Sequence, residues 1–341
     1  MILDKIRAKY GPMVAREFQQ AIERVKGNVD WTEVESMIDE GRVTEALETV
    51  VHAAEAEGLA GLDSLYRDLL IAAGTATAGF ILERLIRRGE PVPLPPLTLD
   101  APVFSAPLVA PTSLNISFDV TPTEVTQSIR TQQLDRIVDI SEQTRDAIRI
   151  ALTRGIDAGD NPKRIAVEIR QSLGLTDRME QAILNYQTAL ENGDLSALRR
   201  ALRDRRFDSS VENQKLTPEK IERMVQRYRE RYLKYRSEMI ARTETARAIS
   251  TGQHLMWSQA IQKGIVREDQ ILRKWIYTQD GKTRHAHISI PGMNEKEGVG
   301  FAEPFQSPLG PIMFPGDPNA TAANTINCRC STFYRLKTDE L

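Results

Sequence analysis

Cysteine is nearly missing from this chain, with two residues in 341. Two thiols cannot staple a chain of this length, which excludes a disulfide framework and points to maturation in a reducing compartment. Aromatic residues make up only 6%, which suits a helix-rich protein better than an all-β sandwich. Charge of one sign is also lacking. The 45 Lys and Arg against 47 Asp and Glu leave a net charge of −2. That excludes a globally basic coat that binds nucleic acid by total charge, though it leaves room for a local patch. Long apolar runs are absent too. The apolar run Leu69–Leu82 has 14 uncharged residues, short of the ~20 that a bilayer span needs. Met1–Tyr10 alternates charged and apolar residues without a signal-peptide core. No membrane span is expected. The familiar enzyme templates GxxxxGK[ST], HExxH, GxSxG and GxGxxG do not occur.

What remains is ordinary for a folded protein, with 41% hydrophobic and 27% charged residues. At ~100–200 residues per domain the length suits two or three domains. Residues 1–90 read as helices. Asp30 followed by Glu33 is a capping box that opens a helix at Trp31, and Gly41, Gly58 and Gly89 mark stops. Asp63–Arg88 reads as one long helix. Its Gly74 and Gly79 suit close packing of another helix, or docking of a partner protein.

Residues 91–122 change texture, holding 8 of the 17 prolines. Proline fixes φ and lacks the amide donor, so this stretch reads as an extended arm against a protein surface, with one short strand at Asn115–Val120. Helices resume at Thr121-Pro122, with a broken apolar stripe through Val125, Ile129, Leu134, Ile137, Val138, Ile148, Ala151 and Leu152. Asn161-Pro162 and Thr217-Pro218 open later helices by the same device of an N-cap before proline. From about Ile271, Lys274–Thr278 and Ser331–Leu336 read as strands. Between them lies an irregular segment, 291–318, with 6 Pro and 5 Gly. The expected fold class is therefore mainly α with a small C-terminal α+β unit. It would have an elongated N-terminal helical region (1–90), a proline-rich extended arm (91–122), a helical part (123–270) and the α+β unit (271–341).

Four constellations carry candidate chemistry. Residues 199–242 hold 14 Lys and Arg against 7 acids, a local charge of +7. Tyr228, Tyr232 and Tyr235 interleave with the cations, which suits stacking and phosphate contact as well as it suits a solvated helix laced with ion pairs. Arg227, Arg231 and Lys234 share one helix face and are the candidate nucleic-acid contacts. Ile240–Ala246 places Arg242, Thr243 and Glu244 on a helix flanked by alanines. Glu244 reads as a structural ion-pair partner, with Arg247 three residues on, or as a catalytic carboxylate. The third is Trp275, then the turn Asp280-Gly281, then Thr283, Arg284, His285 and His287. On a strand, the two histidines would point the same way. The fourth is Asn327-Cys328-Arg329-Cys330. His285, His287, Cys328 and Cys330 together form a Cys2His2 set able to hold a structural zinc. The same residues also read as buried reduced cysteines beside a hydrogen-bonded histidine. A Cys328–Cys330 disulfide would close a strained ring. For a Cys–His nucleophile, no third orienting residue is visible.

In series, Ile240–Ala246 (IARTETA), Lys274–Ile276 (KWI), Asp280-x-x-Thr283-Arg284-x-x-His287, Pro315-Gly316-Asp317-Pro318 and Ile326–Cys330 (INCRC) resemble the minor head proteins of tailed bacteriophages, the Mu F-like or phage head morphogenesis family. The resemblance covers roughly residues 140–336, more loosely before 240, and leaves 1–122 outside. The family pattern has one histidine, at the place of His287. It often carries an acid shortly before the Asn-Cys-Arg-Cys stretch, where this chain has none.

The resemblance implies a non-enzymatic structural protein of the virion, present in several copies at the portal vertex and assembled in the bacterial host cytoplasm. It further implies action in head morphogenesis and in DNA packaging or ejection. The implied partners are the portal protein, the major capsid or scaffolding protein, and phage DNA. No cofactor is expected beyond the structural zinc. Arg284, His287, Asn327 and Arg329 are expected to knit the C-terminal unit together, with a Glu244 ion pair. The alternatives from other classes are a metal-dependent, nuclease-like enzyme built on Glu244, His287, Cys328 and Cys330, and a non-specific DNA-binding protein.

Overall fold

A computed structural model describes residues 2–57, 60–88, 116–121, 142–290 and 298–337. Among these residues the chain is mainly α-helical, with every strand confined to the C-terminal part. The helices run α1 (Ile2–Asn28), α2 (Trp31–Asp39), α3 (Val43–Glu57), α4 (Ala60–Arg88), α5 (142–157), α6 (Pro162–Ser172), α7 (Asp177–Glu191), α8 (Asp208–Glu212) and α9 (Pro218–Gln262). There follow β1 (Ile271–Ile276), α10 (His285–Ile288), β2 (Val299–Gly300), β3 (Phe305–Ser307), β4 (Gly310–Ile312), α11 (Ala322–Thr325) and β5 (Ser331–Leu336).

The helix starts follow their local chemistry. Asp30 accepts from the Thr32 and Glu33 amides at the head of α2. Asn161 accepts from the Arg164 amide before Pro162 opens α6. Thr217 Oγ1 accepts from the Lys220 amide at 3.3 Å, with Pro218 as the first residue of α9. Each side-chain acceptor satisfies an amide that the first turn leaves without a helical partner.

The chain divides into two compact units; three of the four divisions fall inside α1, α4 and α9, and the fourth, at 129/130, lies outside the described residues. One unit comprises Pro12–Ser64 and Arg130–Ala241. Its core sets Leu175, Ile183, Tyr186 and Leu190 against Met224, Val225 and Tyr228.

The other unit comprises Met1–Gly11, Leu65–Ile129 and Arg242–Leu341. Here α4 packs on α9, with Leu69, Leu70 and Ala73 meeting Ala248 and Ile249, and Ala78, Ile81 and Leu85 meeting Met256, Trp257 and Ala260. The approach is close because of Gly252, where a Cβ would lie 2.4 Å from the Leu70 carbonyl oxygen. Ser64–Leu85 within α4 is long and apolar enough to cross a bilayer by length and composition; in this fold its apolar residues form these two cores.

β1 is the central strand of a three-stranded antiparallel sheet ordered β2-β1-β5, with Ile271 opposite Leu336 and Trp275 opposite Thr332. β3 and β4 form a separate hairpin. The expected Asn115–Val120 strand belongs to no sheet over its described residues. A side-chain amide stands in for a neighbouring strand there. Gln259 Nε2 donates to the Asp119 carbonyl at 2.6 Å, and its Oε1 accepts from the Asp119 amide at 3.0 Å. The rest of the proline-rich stretch, and the helix start at Thr121-Pro122 with Val125, Ile129, Leu134, Ile137 and Val138, lie outside the described residues.

His254 on α9 lies against this sheet, its ring stacked on Phe301 with centroids 4.6 Å apart and its Nδ1 3.3 Å from the Tyr334 hydroxyl. Burial, assisted by the Arg273 charge, pulls its pKa down to about 4. The unfolded chain binds a proton there near pH 6.5 and the folded chain does not. Stability is therefore full above about pH 6.5 and falls as the pH drops toward 4, by up to about 3 kcal/mol. Denaturant unfolding between pH 7 and 4.5 should show this loss, and His254→Gln should remove that part of the slope. Identical slopes for the two proteins would refute it.

Candidate functional site

Residues scattered over 90 positions of sequence meet where α9 faces the C-terminal strands. Asn327 is the hinge of the contact. It adopts a left-handed backbone with φ 60°, a conformation asparagine tolerates better than most residues. Its amide donates to Thr243 Oγ1 at 2.8 Å, and its side-chain oxygen accepts from Arg242. Both bonds tie the start of the Asn-Cys-Arg-Cys stretch to α9. Arg284 donates to the Ala323 and Ile326 carbonyls at the end of α11, carbonyls that have no further helical turn to bond. Arg329 Nη2 donates to Asp280 Oδ1 at 2.8 Å, and this arginine holds the Asp280 carboxyl down at about 2. Asp280 also accepts from the Lys282 amide, closing the turn at Gly281.

Asp317 is buried and accepts from the Met313 and Asn319 amides at 2.8 and 2.9 Å. It shapes the Pro-Gly-Asp-Pro turn, so that Gly316 sits directly on α9. A Cβ on Gly316 would lie 2.7 Å from Arg247 Cα, and φ there is +82°. Glu244 pairs with Arg247 at 3.4 Å and is not among the residues that line the nearby cavity.

At the centre lie His287, Cys328 and Cys330, all buried. His287 Nδ1 is 3.6 Å from Cys328 Sγ and 3.5 Å from Cys330 Sγ. The ring meets Trp275 edge-on at 5.1 Å. His285 is exposed and outside this cluster. The expectation that the two histidines point the same way assumed a strand, whereas 285–288 is a helical turn, on which residues two apart face nearly opposite directions. The two thiols titrate as a pair. Their mutual hydrogen bond, with His287 adding to it, pulls Cys328 down to about 5 against the effect of burial, and the same pairing pushes Cys330 up. One sulfur thus gives up a proton readily and the other keeps its own.

Sequence reading missed the residues that orient this cluster. Asn324 on α11, buried, has its Oδ1 3.2 Å from His287 Nε2. Its amide nitrogen donates to the Gly310 carbonyl at 3.1 Å, and Ser307 Oγ donates to Oδ1 at 2.9 Å. Arg7 on α1 donates to the Arg329 and Cys330 carbonyls. Nothing in the local sequence around Asn324 or Arg7 marks them, since their partners lie 37 and more than 300 residues away. A cavity of about 230 Å³ opens beside the cluster, lined by the two cysteines, His287, Thr283, Asn327 and the cations Arg242, Lys282, Arg284 and Arg329.

The three candidate nucleic-acid contacts lie in the other unit and differ from one another. Arg227 is exposed and pairs with Glu230 at 3.2 Å. Arg231 reaches Asp204 at 3.4 Å and donates to the Leu202 and Arg203 carbonyls, so much of its donor capacity is spent within the protein. Lys234 is exposed. Of the interleaved tyrosines, Tyr228 is buried and packs on Tyr186 and Tyr232, and only Tyr235 is exposed.

Residues 214–333 match the family described as Phage Mu protein F like protein. The match contains every one of the motifs gathered at this site, and it bears out the resemblance to the phage head morphogenesis family. No curated protein and no solved structure matches the chain.

Proposed function

From this head-morphogenesis family match we infer that the chain is a minor head protein of a tailed phage. It would be carried in several copies at the portal vertex, assembled in the host cytoplasm, and act in head assembly and in DNA packaging or delivery. The observation that supports a structural role is how the matched motifs are used. Arg242, Thr243, Asn327, Arg284, Arg329 and Asp280 spend their hydrogen bonds on one another and on backbone groups. They fasten a long helix to a small sheet unit, and Glu244 pairs with a neighbour on its own helix. Such investment suits a rigid adaptor better than a nuclease-like centre. Phage DNA enters this reading through the exposed Arg227 and Lys234.

The test is co-sedimentation of the full chain with the portal protein of the same genome, together with particle yield from a phage carrying Arg284→Ala. The chain should travel with the portal ring. The variant should melt several degrees lower and reduce the yield of infectious heads, because two carbonyls at the end of α11 lose their donor. A chain that sediments alone, with normal heads and normal DNA delivery when its gene is deleted, would sink the proposal.

A further inference from the structure

We propose that His287, Cys328 and Cys330 together hold one zinc ion, with the fourth coordination position open to the basic cavity and filled there by water. The site stands on geometry and does not depend on the chain's role in the head.

Zinc binds thiolate sulfur at about 2.3 Å and imidazole nitrogen at about 2.0–2.1 Å, and a tetrahedron with those arms has sulfur-to-nitrogen edges of about 3.6 Å. The two edges here measure 3.6 and 3.5 Å, and the three donor atoms all lie within 4.8 Å of one another. The imidazole is oriented for the task. Asn324 gives its amide hydrogens to the Gly310 carbonyl, so its oxygen is the end that faces His287. Nε2 must then carry the ring proton, and Nδ1 presents its lone pair to both sulfurs. An outer hydrogen bond of this kind, from the ligand's far nitrogen to a fixed acceptor, is the usual companion of a metal-bound histidine. A single lone pair accepts one S–H, whereas an ion takes all three atoms at the same separations.

The fourth position follows from the cavity. All three ligand residues line it, and among the described residues the rest of its wall is Arg242, Lys282, Thr283, Arg284, Asn327 and Arg329. None of these offers a thiolate, an imidazole or a carboxylate, and the Asn327 oxygen already accepts from Arg242. Three protein ligands plus water is the arrangement of zinc sites that keep an exchangeable position. One Zn²⁺ with two thiolates is electrically neutral, so it can sit under four cationic side chains without repulsion. His285, exposed on the far side of α10, takes no part.

The experiment uses the full-length chain, purified without chelator, equilibrated with zinc sulfate and freed of excess metal. Elemental analysis should give about one zinc per chain. Cobalt in its place should give the intense visible bands of a tetrahedral site and a near-ultraviolet thiolate-to-cobalt band. Asn324→Ala, which keeps all three ligands, should weaken zinc affinity about 10–100-fold. His285→Ala should leave affinity unchanged, and Cys328→Ser should abolish the thiolate band. Because a ligand variant can fail to fold, the wild-type measurement decides. Less than about 0.1 zinc per chain with no cobalt band overturns the site. Loss of metal on His285→Ala overturns the three-ligand assignment. A metal-free wild-type chain in which iodoacetamide modifies one cysteine stoichiometrically also overturns it, in favour of a thiol nucleophile in a Cys–His–Asn array.

Discussion

Replacing Arg273 by methionine is expected to unfold the C-terminal sheet unit at temperatures where the wild type is intact. Arg273 sits on the central strand β1 with no exposed surface. Its guanidinium donates to the Gly300 carbonyl at 3.1 Å, to the Met313 carbonyl at 2.5 Å and to the Glu303 carbonyl. It also lies 5.0 Å from the Phe305 ring centre. Burial pulls its pKa down, which records a cost of keeping the charge inside. The Gly300 carbonyl keeps the Glu303 amide at 3.3 Å, but each carbonyl left shielded without a donor costs about 1–3 kcal/mol, and methionine fills the volume without replacing any bond. Even with the desolvation cost returned, a net loss of about 4 kcal/mol is expected, equivalent to a melting temperature lower by roughly 10 °C. Lysine is expected to recover only part of this, because a point charge cannot serve three carbonyls that a planar fork reaches together. Calorimetry, with tryptophan fluorescence reporting on Trp257 and Trp275, makes the measurement. A fall of less than about 2 °C would show that the fork is dispensable. The loss should also loosen the metal ligands, since the hairpin beside Arg273 carries Ser307 and Gly310, both of which fix Asn324.

Arg273 also shows where reading from sequence stops. The strand expected from sequence begins at Lys274, and Arg273, between Leu272 and Lys274, carries no local mark of a buried position. What buries it is a set of carbonyls 27, 30 and 40 residues away, held there by an irregular segment with no periodicity of its own. Signals confined to a few residues were legible. The caps at Asp30, Asn161 and Thr217 open the helices where their side chains suggest, and Ser331–Leu336 forms the strand its aromatic and β-branched content indicates. Of the two glycines expected to admit another helix, Gly74 faces the Phe118 ring and Gly79 open space; the close approach of α4 and α9 is made at Gly252 instead. Three of the four divisions between the units were not legible, because they fall inside continuous helices that no change of composition marks. At the site, the cysteine pair and His287 came from residue type and from the family resemblance. The helical turn that separates His285 from His287 is four residues long, too short for any pattern to announce.

A second large effect is expected in the other unit, on the same helix that carries the basic stretch. Arg229→Met should destabilise that unit by about 3–5 kcal/mol at pH 7, because it leaves a buried carboxylate without its cation. Arg229 Nη1 lies 2.6 Å from Glu180 Oε1, with side-chain exposures of 8% and 2%. Burial raises the Glu180 pKa while the Arg229 charge opposes it. Without the arginine only the upward push of burial remains, so the carboxyl of the variant takes up a proton on folding. A carboxyl that binds its proton more tightly when folded contributes stability at low pH and loses it as the pH rises. The deficit of Arg229→Met relative to wild type should therefore shrink between pH 7 and pH 5. The double variant Arg229→Met, Glu180→Leu removes both charges and should recover most of the loss. Arg229 Nε has no hydrogen-bond partner among the described residues, so the native pair is itself incompletely satisfied and an apolar replacement has little to match. Denaturant unfolding of the four proteins of this cycle measures the coupling directly. A single variant within about 1 kcal/mol of wild type at pH 7 would mean that water reaches Glu180 and that the pair is not buried in solution. The expected result, by contrast, subtracts one more cation from the stretch 199–242. With Arg231 tied to Asp204 and to backbone carbonyls, its local excess of positive charge is then partly an internal fastening, and of the three candidate contacts only Arg227 and Lys234 are exposed.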